Sequence, residues 1–313
     1  MAQTDLFTTP RDFPDKVIRQ SLEHPDNLRD FLRAVVPAIA ARIDFTRVQR
    51  LERDFTSADW RGREADLLFR APYRAADDDH ELEILIEILV EHQSSPDAST
   101  PLRTLLYSSS SWEEHWKAWQ ESHPRGEPLR LPPVVPIVLY TGPRPWNAPR
   151  SLRDLVLGPD ELVRLTPAWS PVYWELREQS VEALLDDLGA WMKMLAVVRA
   201  GGLDGDEFER VFAEALRRLE ALALVDRLRW MDLARAVVAW GWHLRPTEEL
   251  DHLKEVAVAS QNEVLDRKEI ESMFKSGYTA TLEKGIDLGR KEGIDLGRKE
   301  GIDLGRVGTL QSN

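Results

Sequence analysis

Three polar side chains in succession, Glu91, His92 and Gln93, close the apolar run EILIEILV of residues 83–90. In a strand successive side chains alternate between faces, so Glu91 and Gln93 share one face and His92 takes the other. A second acid, Asp66, stands in the alternating segment EADLLFRA of residues 64–71. There Ala65, Leu67, Phe69 and Ala71 point one way, and Glu64, Asp66, Leu68 and Arg70 the other. The two alternating runs flank the polar stretch AADDDHE, so together they read as a β-hairpin. A hairpin symmetric about the middle of Asp77–His80 sets Asp66 opposite Glu91. Directly opposed carboxylates destabilise a sheet unless something cationic lies between them.

That pairing defines a candidate chemistry. Phosphodiester hydrolysis needs the scissile phosphate neutralised, a hydroxide generated near neutral pH, and the attack held in line. A hard divalent cation such as Mg²⁺ does the first two and takes oxygen ligands. Asp66 and Glu91, with the His92 backbone carbonyl between them, offer such oxygens, and the Gln93 amide can hydrogen-bond the attacking water. Spacing alone leaves a plainer reading open, because paired acids at a sheet edge are common. Glu64 and Glu87 fall on the same face, as accessory acids or, more simply, as solvated strand positions. The run Asp77-Asp78-Asp79-His80 is metal-like in composition, but an acidic hairpin turn accounts for it.

The elements that must position these residues follow from periodicity. Residues 12–42 read as helical, broken at His24-Pro25-Asp26, with Asp26 as the expected N-cap and Pro37 as a stop or kink. Leu28, Phe31, Leu32, Val35 and Val36 make the apolar stripe of that helix. Thr100-Pro101 opens another helix, expected to reach about Gln120, with Ser108–Ser111 as a candidate interruption and Ser111 with Glu114 as a second capping box. Trp112, Trp116 and Trp119 share one of its faces, which reads as a packing face. The β-branched run VVPIVLY of residues 134–140 supplies a further strand, parallel to the hairpin through a right-handed crossover. The expected fold class is therefore α/β, a mixed sheet flanked by helices. Beyond Glu178 the periodicity is helical throughout, and a boundary is placed near residue 175.

Composition narrows the function classes. A chain of 313 residues allows about two domains at roughly 100–200 residues each. No cysteine is present, which excludes disulfides and thiolate metal sites. The stretch MAQTDLFTTPRDFPDK has neither a basic nor an apolar signal region, and no uncharged apolar window reaches about eighteen residues. The expected compartment is the cytoplasm, with no membrane partner. A net charge of −13 argues against coating nucleic acid with the whole surface, yet leaves room for a local basic cleft. Arg42, Arg47, Arg50, Arg53, Arg61, Arg63, Arg70 and Arg74 form the densest basic stretch, as a phosphate-binding wall or as a solvated mixed surface. No GxxxxGK[ST], GxSxG or HExxH motif occurs, so phosphate-loop, serine-hydrolase and zincin chemistries have no foothold.

The tail repeats GIDLGRKE from Gly285 and Gly293, and GIDLGR from Gly301. Each Gly costs a helix about 1 kcal/mol relative to Ala, and the pairing of Asp287 with Lys291 returns only a few tenths. A frayed or disordered tail is expected, with self-association into a homo-oligomer as the alternative.

The segment DLLF at 66–69 followed by LVEHQSS at 89–95 resembles the PD-(D/E)xK nuclease core in its E-x-Q form. More narrowly, the chain resembles the Rpn family of recombination-promoting nucleases, also known as YhgA-like transposases. The resemblance runs through DKVIRQSLEHPDNLRDFLRAVVP, READLLF, LVEHQSSPDASTPLRTLLY and PPVVPIVLYTGPRPWNAP, roughly residues 12–149, and extends to the Gly-containing repeats. EHQSS followed by Arg103 and Tyr107, one helical turn apart, is its most specific element. The resemblance implies a bacterial, metal-dependent DNA endonuclease linked to recombination or mobile DNA. It also implies Asp66 and Glu91 as metal ligands and Gln93 at the position usually held by Lys. A neutral amide cannot supply the charge of Lys, so stabilisation must rest on the metal or on an arginine. Arg103 and Tyr107 then contact the phosphate or brace the acids, unless they serve only packing and the helix surface. The expected organisation is a nuclease domain at 1–175, a helical domain at 176–282 and the repeat tail at 283–313. A nuclease-like fold acting only as a DNA- or protein-binding module, oligomerised through the tail, is the alternative from a different class.

Overall fold

The computed structural model describes residues 13–51, 67–77, 80–122 and 128–260. Asp66, Glu64 and the repeat tail lie outside the described residues.

The chain opens with helices α1 (Phe13–Leu22), α2 (Pro25–Val35) and the single turn α3 (Pro37–Ala40). The expected break is present, but the cap moves: His24 is the N-cap of α2, its ring nitrogen accepting from the Asp26 amide at 3.3 Å. Pro25 takes the first helical position, where its missing N–H costs nothing. Pro37 stops α2 and starts α3, because proline cannot donate into the preceding turn.

Strands β1 (Gln49–Leu51), β2 (Leu67–Asp77) and β3 (His80–Gln93) follow, then α4 (Thr100–Ser122) and β4 (Val134–Tyr140). A single helical turn α5 (Asp160–Val163) precedes β5 (Val172–Glu175). The sheet order is β1-β2-β3-β4-β5. The first three strands are antiparallel and β3, β4 and β5 are parallel, which makes the sheet mixed. The hairpin runs in register from Leu67 opposite Val90 to Asp77 opposite His80, the symmetry expected from the sequence. β5 was not legible: four residues are too few to show a period, and pairing with β4 creates the strand.

Alternation assigns the faces correctly. Leu67, Phe69, Ala71, Ile86, Ile88 and Val90 point into the main core, joined by Ile137, Leu139 and Trp174. On the opposite face Leu68 and Leu89 pack under Tyr107 of α4. This covering helix buries Glu87 and Glu91 completely, so Glu87 is not the solvated strand position expected. α4 is also uninterrupted at its serines. The Ser108 and Ser110 hydroxyls donate to carbonyls four residues back, and Ser111 donates to Glu87 instead of opening a second cap. Of the tryptophan face, Trp112 meets Trp169 edge-on and donates to the Pro132 carbonyl at 2.9 Å, while Trp116 is exposed.

The remainder is helical: α6 (Val181–Asp186), α7 (Ala190–Ala200), α8 (Gly205–Ala223), α9 (Arg227–Leu244) and α10 (Thr247–Ala259). α7 is buried on nearly every side, and α8 buries Phe208, Val211, Phe212, Ala215, Leu216 and Leu219 at helical spacing. These helices share one core with α1, α2 and the inner face of the sheet.

A buried polar junction ties the helical part to α2. The Asp30 carboxylate accepts from Arg229 at 2.5 Å and from the Trp191 backbone amide at 3.2 Å, while Arg229 Nε donates to Asn27 at 2.8 Å. Gly189 backs onto this acid so closely that a Cβ there would sit 2.7 Å from the Asp30 side chain. Removing one member of a buried ion pair strands the other charge. Arg229→Ala should therefore lower the unfolding free energy by roughly 3–5 kcal/mol in urea titration. A loss below about 1 kcal/mol would show that water or a neighbour relieves Asp30.

Candidate active site

The site forms where β3 ends and α4 begins. Asp97 shapes the turn between them. One of its carboxylate oxygens accepts from the Ser99 amide and hydroxyl, both at 2.8 Å, and its carbonyl accepts from the Thr100 hydroxyl at 2.9 Å. α4 then runs back over the sheet, and its first turn carries Arg103 to the end of β3. There Arg103 ion-pairs with Glu91 through Nη2 and with Asp97 through Nη1, the latter at 2.9 Å. Gln93 donates from its amide to the same Glu91 oxygen, Oε1, at 2.5 Å. The other oxygen, Glu91 Oε2, is buried with no hydrogen-bond partner among the described residues. Tyr107, one turn beyond Arg103, closes that side.

A cleft of about 310 Å³ opens onto these groups, lined among others by Asp15, Arg19, Glu91, Gln93, Arg103 and Tyr107. Its position obeys a general rule, because ligand sites in open α/β sheets gather outside the carboxyl ends of parallel strands. The structure thus brings together Glu91, Gln93, Arg103 and Tyr107 among the residues singled out by sequence. Asp66 lies outside the described residues, immediately before Leu67, whose partner is Val90.

His92 has a different surrounding. Its ring points to the inner face, where Nδ1 meets the Asp15 carboxylate of α1 at 2.5 Å and Nε2 meets the Thr141 hydroxyl at 2.8 Å. The imidazole thereby bridges α1 and the end of β4. Its backbone belongs to the ladder with β4, opposite Leu139. Asp15 and Thr141 carry no sequence signal for this role, being 77 and 49 residues away from His92.

A second polar group lies deeper along β3. Glu87 ion-pairs with Arg70, its cross-strand partner, at 2.9 Å and meets His115 at 3.1 Å, while Ser111 donates to its second oxygen. Arg70 was legible only as one of many arginines; its strand register selects it. Next to the cleft, Tyr140 lies opposite Gln93 in the ladder and donates to the Arg144 carbonyl at 2.8 Å. Burial pushes its phenol above the usual range, so it remains a donor at neutral pH.

Among the described residues no group of three or more His, Asp or Glu comes together as a metal cage. The donor chemistry nevertheless fits a hard cation at Glu91. A wholly buried carboxylate oxygen without a donor is an expensive arrangement that an oxygen-seeking ion relieves.

A mixed sheet whose central strand delivers a buried acid to a cleft at its carboxyl end, flanked by helices on both faces, is an α/β nuclease-like core. The chain belongs to the family described as "Putative transposase, YhgA-like", whose model matches residues 13–171. It is 26% identical over 176 residues to the recombination-promoting nuclease RpnC of Escherichia coli (strain K12), covering 49% of this chain and 53% of that protein. It is 24% identical over 256 residues to the recombination-promoting nuclease RpnD of Escherichia coli O157:H7, covering 71% of this chain and 93% of that protein. The chain thus spans about half the length of the first relative and nearly all of the second. No solved structure gives a significant match.

The Glu87 group generates a stability prediction. Arg70→Ala leaves a fully buried carboxylate without its guanidinium, and the expected loss is roughly 2–4 kcal/mol, below the fully buried case because Arg70 is partly exposed. Urea unfolding followed by tryptophan fluorescence measures it, and a change within about 0.5 kcal/mol would mean that Ser111 and His115 suffice.

Proposed function

We propose that this protein is a divalent-metal-dependent DNA endonuclease that hydrolyses phosphodiester bonds in DNA recombination or mobile-element activity. The observation that carries the reading is the buried Glu91 carboxylate, one oxygen of which has no hydrogen-bond partner among the described residues, at the mouth of a cleft that also holds an amide and a guanidinium. Relatives named recombination-promoting nucleases support it.

In this reading Asp66, Glu91 and the backbone carbonyl of His92 hold Mg²⁺ or a similar cation. The cation supplies the positive charge and the activated water that phosphodiester hydrolysis requires. The protein's own groups do the rest. Gln93 lies on the same face as Glu91, and its amide orients the attacking water. Arg103 carries positive charge into the cleft for the phosphate, a role a neutral Gln93 cannot fill. Tyr107 borders the same cleft and contacts the substrate backbone. Asp15, through His92, holds α1 against the end of β3 and so keeps the cleft wall in place.

DNA is the proposed substrate and the cytoplasm the proposed compartment. Among the described residues no helix is long and apolar enough to cross a membrane. Self-association through the C-terminal region completes the proposal. The second reading, a catalytically inactive nuclease-fold binding module, has one observation on its side: Glu91 is already ion-paired with Arg103.

Plasmid nicking with and without Mg²⁺ separates the two. Glu91→Ala and Asp66→Ala should each reduce nicking by at least about 100-fold, and Gln93→Ala by roughly 10- to 100-fold. Unchanged nicking in the two acid variants would sink the site assignment. Absence of nicking by the unaltered protein with Mg²⁺, Mn²⁺ or Ca²⁺ would favour the binding module.

A further inference from the structure

Glu91 is wholly buried, yet its two oxygens are treated unequally. Oε1 takes both the Gln93 amide and the Arg103 guanidinium, and Oε2 takes no hydrogen bond. Among its described partners Arg103 meets two acids of different character. Its Nη2 faces the buried Glu91, whereas its Nη1 is held at 2.9 Å by Asp97, whose side chain is 35% exposed. Asp97 is fixed in turn by Ser99 and Thr100 at the start of α4. The guanidinium therefore has one contact at the rim of the cleft and another inside it.

A divalent cation on Glu91 changes this balance. The negative charge of Glu91, which faces Arg103, would be shared with two further positive charges a few ångströms away. Like charges at that separation in a partly buried site repel strongly, because little water screens them. The guanidinium can relieve the repulsion without leaving the site, since Asp97 retains its other nitrogen. It would then face the cleft, where an anionic phosphate is its natural partner.

From this geometry we infer that Arg103 is the exchangeable counter-ion of Glu91. It neutralises the buried acid in the arrangement seen, and when a cation takes that carboxylate it withdraws onto Asp97 and presents its charge to the phosphate. The inference rests on the metal-dependent reading above, and adds that arginine and metal compete for one carboxylate. The ion pair also holds the shape of the site around Glu91. The competition makes metal affinity depend on the charge of Arg103, which a residue serving packing alone would not show.

The test is calorimetric titration of Mn²⁺ and Mg²⁺ into the full chain at pH 8 without DNA. Arg103→Met keeps the stem and removes the charge, and Mn²⁺ should bind roughly tenfold tighter than to the unaltered protein, the scale expected when one nearby charge is removed. Arg103→Lys retains the charge and should bind like the unaltered protein. Equal or weaker binding by Arg103→Met, with circular dichroism showing a native fold, overturns the inference while leaving the metal reading intact. Asp97→Asn gives an independent arm: without its acidic anchor Arg103 concentrates on Glu91, and Mn²⁺ should bind several-fold more weakly. Unchanged affinity in that variant also counts against the exchange. If neither the unaltered protein nor Arg103→Met binds either cation, the metal reading itself fails and the inference falls with it.

Discussion

Two carboxylates buried on the same side of one strand set the terms for the sheet end of this protein. Glu87 and Glu91 lie four residues apart on β3, both without solvent exposure, under α4. A buried carboxylate is tolerated only with a cation and further donors around it. Each acid recruits its own set: Arg70, Ser111 and His115 for Glu87, Gln93 and Arg103 for Glu91. Ser111, His115 and Arg103 belong to α4, so satisfying the acids also docks the helix. Apolar contact on this face comes from the cluster of Leu68, Leu89 and Tyr107, with Leu51 and Val134 beside it, and from a second cluster of Val138, Tyr140 and Trp146. Charge and hydrogen bonds thus add to apolar contact in docking the helix.

The two acids are satisfied to different degrees, and that difference separates structure from candidate chemistry. Both oxygens of Glu87 have partners within the protein. Glu91 leaves one oxygen without any, and it is the acid at the cleft. The inner face of the sheet carries the stability instead, through a core that runs from α1 and α2 to α10. This division lets the cleft side stay polar while the fold is secured from the other side. It also gives His92 a use unconnected with its eye-catching place in the sequence. Its ring joins α1 to the end of β4, which holds the inner wall of the cleft against the strand that carries Glu91.

Much of this was legible from residues alone, because alternation and hairpin symmetry are local properties. Period-two spacing sorted Leu67, Phe69 and Ala71 from Leu68 and Arg70, and the observed register begins with Leu67 opposite Val90 as the symmetry requires. The helix at Thr100 and the strand at Val134 were legible for the same reason. Other features were misread where a local rule met a distant partner. Ser108–Ser111 looked like a break, but a serine can donate to its own helix or to another element, and Ser111 finds Glu87. Glu87 looked solvated because nothing in its own strand reveals that a helix will lie over it. β5 was overlooked because its four residues become a strand only beside β4.

By itself, then, the amino-acid order determined which side chains share a face, where the main sheet strands turn, and that an acid and an amide arrive together at one strand end. Each of these depends on spacing within about ten residues. Tertiary structure alone decided which acids are buried, that Arg103 lies on Glu91 with Asp97 as its second anchor, and that Asp15 reaches His92 across 77 residues. It decided also that Arg229 closes onto Asp30 from the far end of the chain. The physical reason is that ionic partners are chosen by packing. A charge in a sequence has many possible counter-ions, and burial leaves it the few that its neighbouring elements bring within reach.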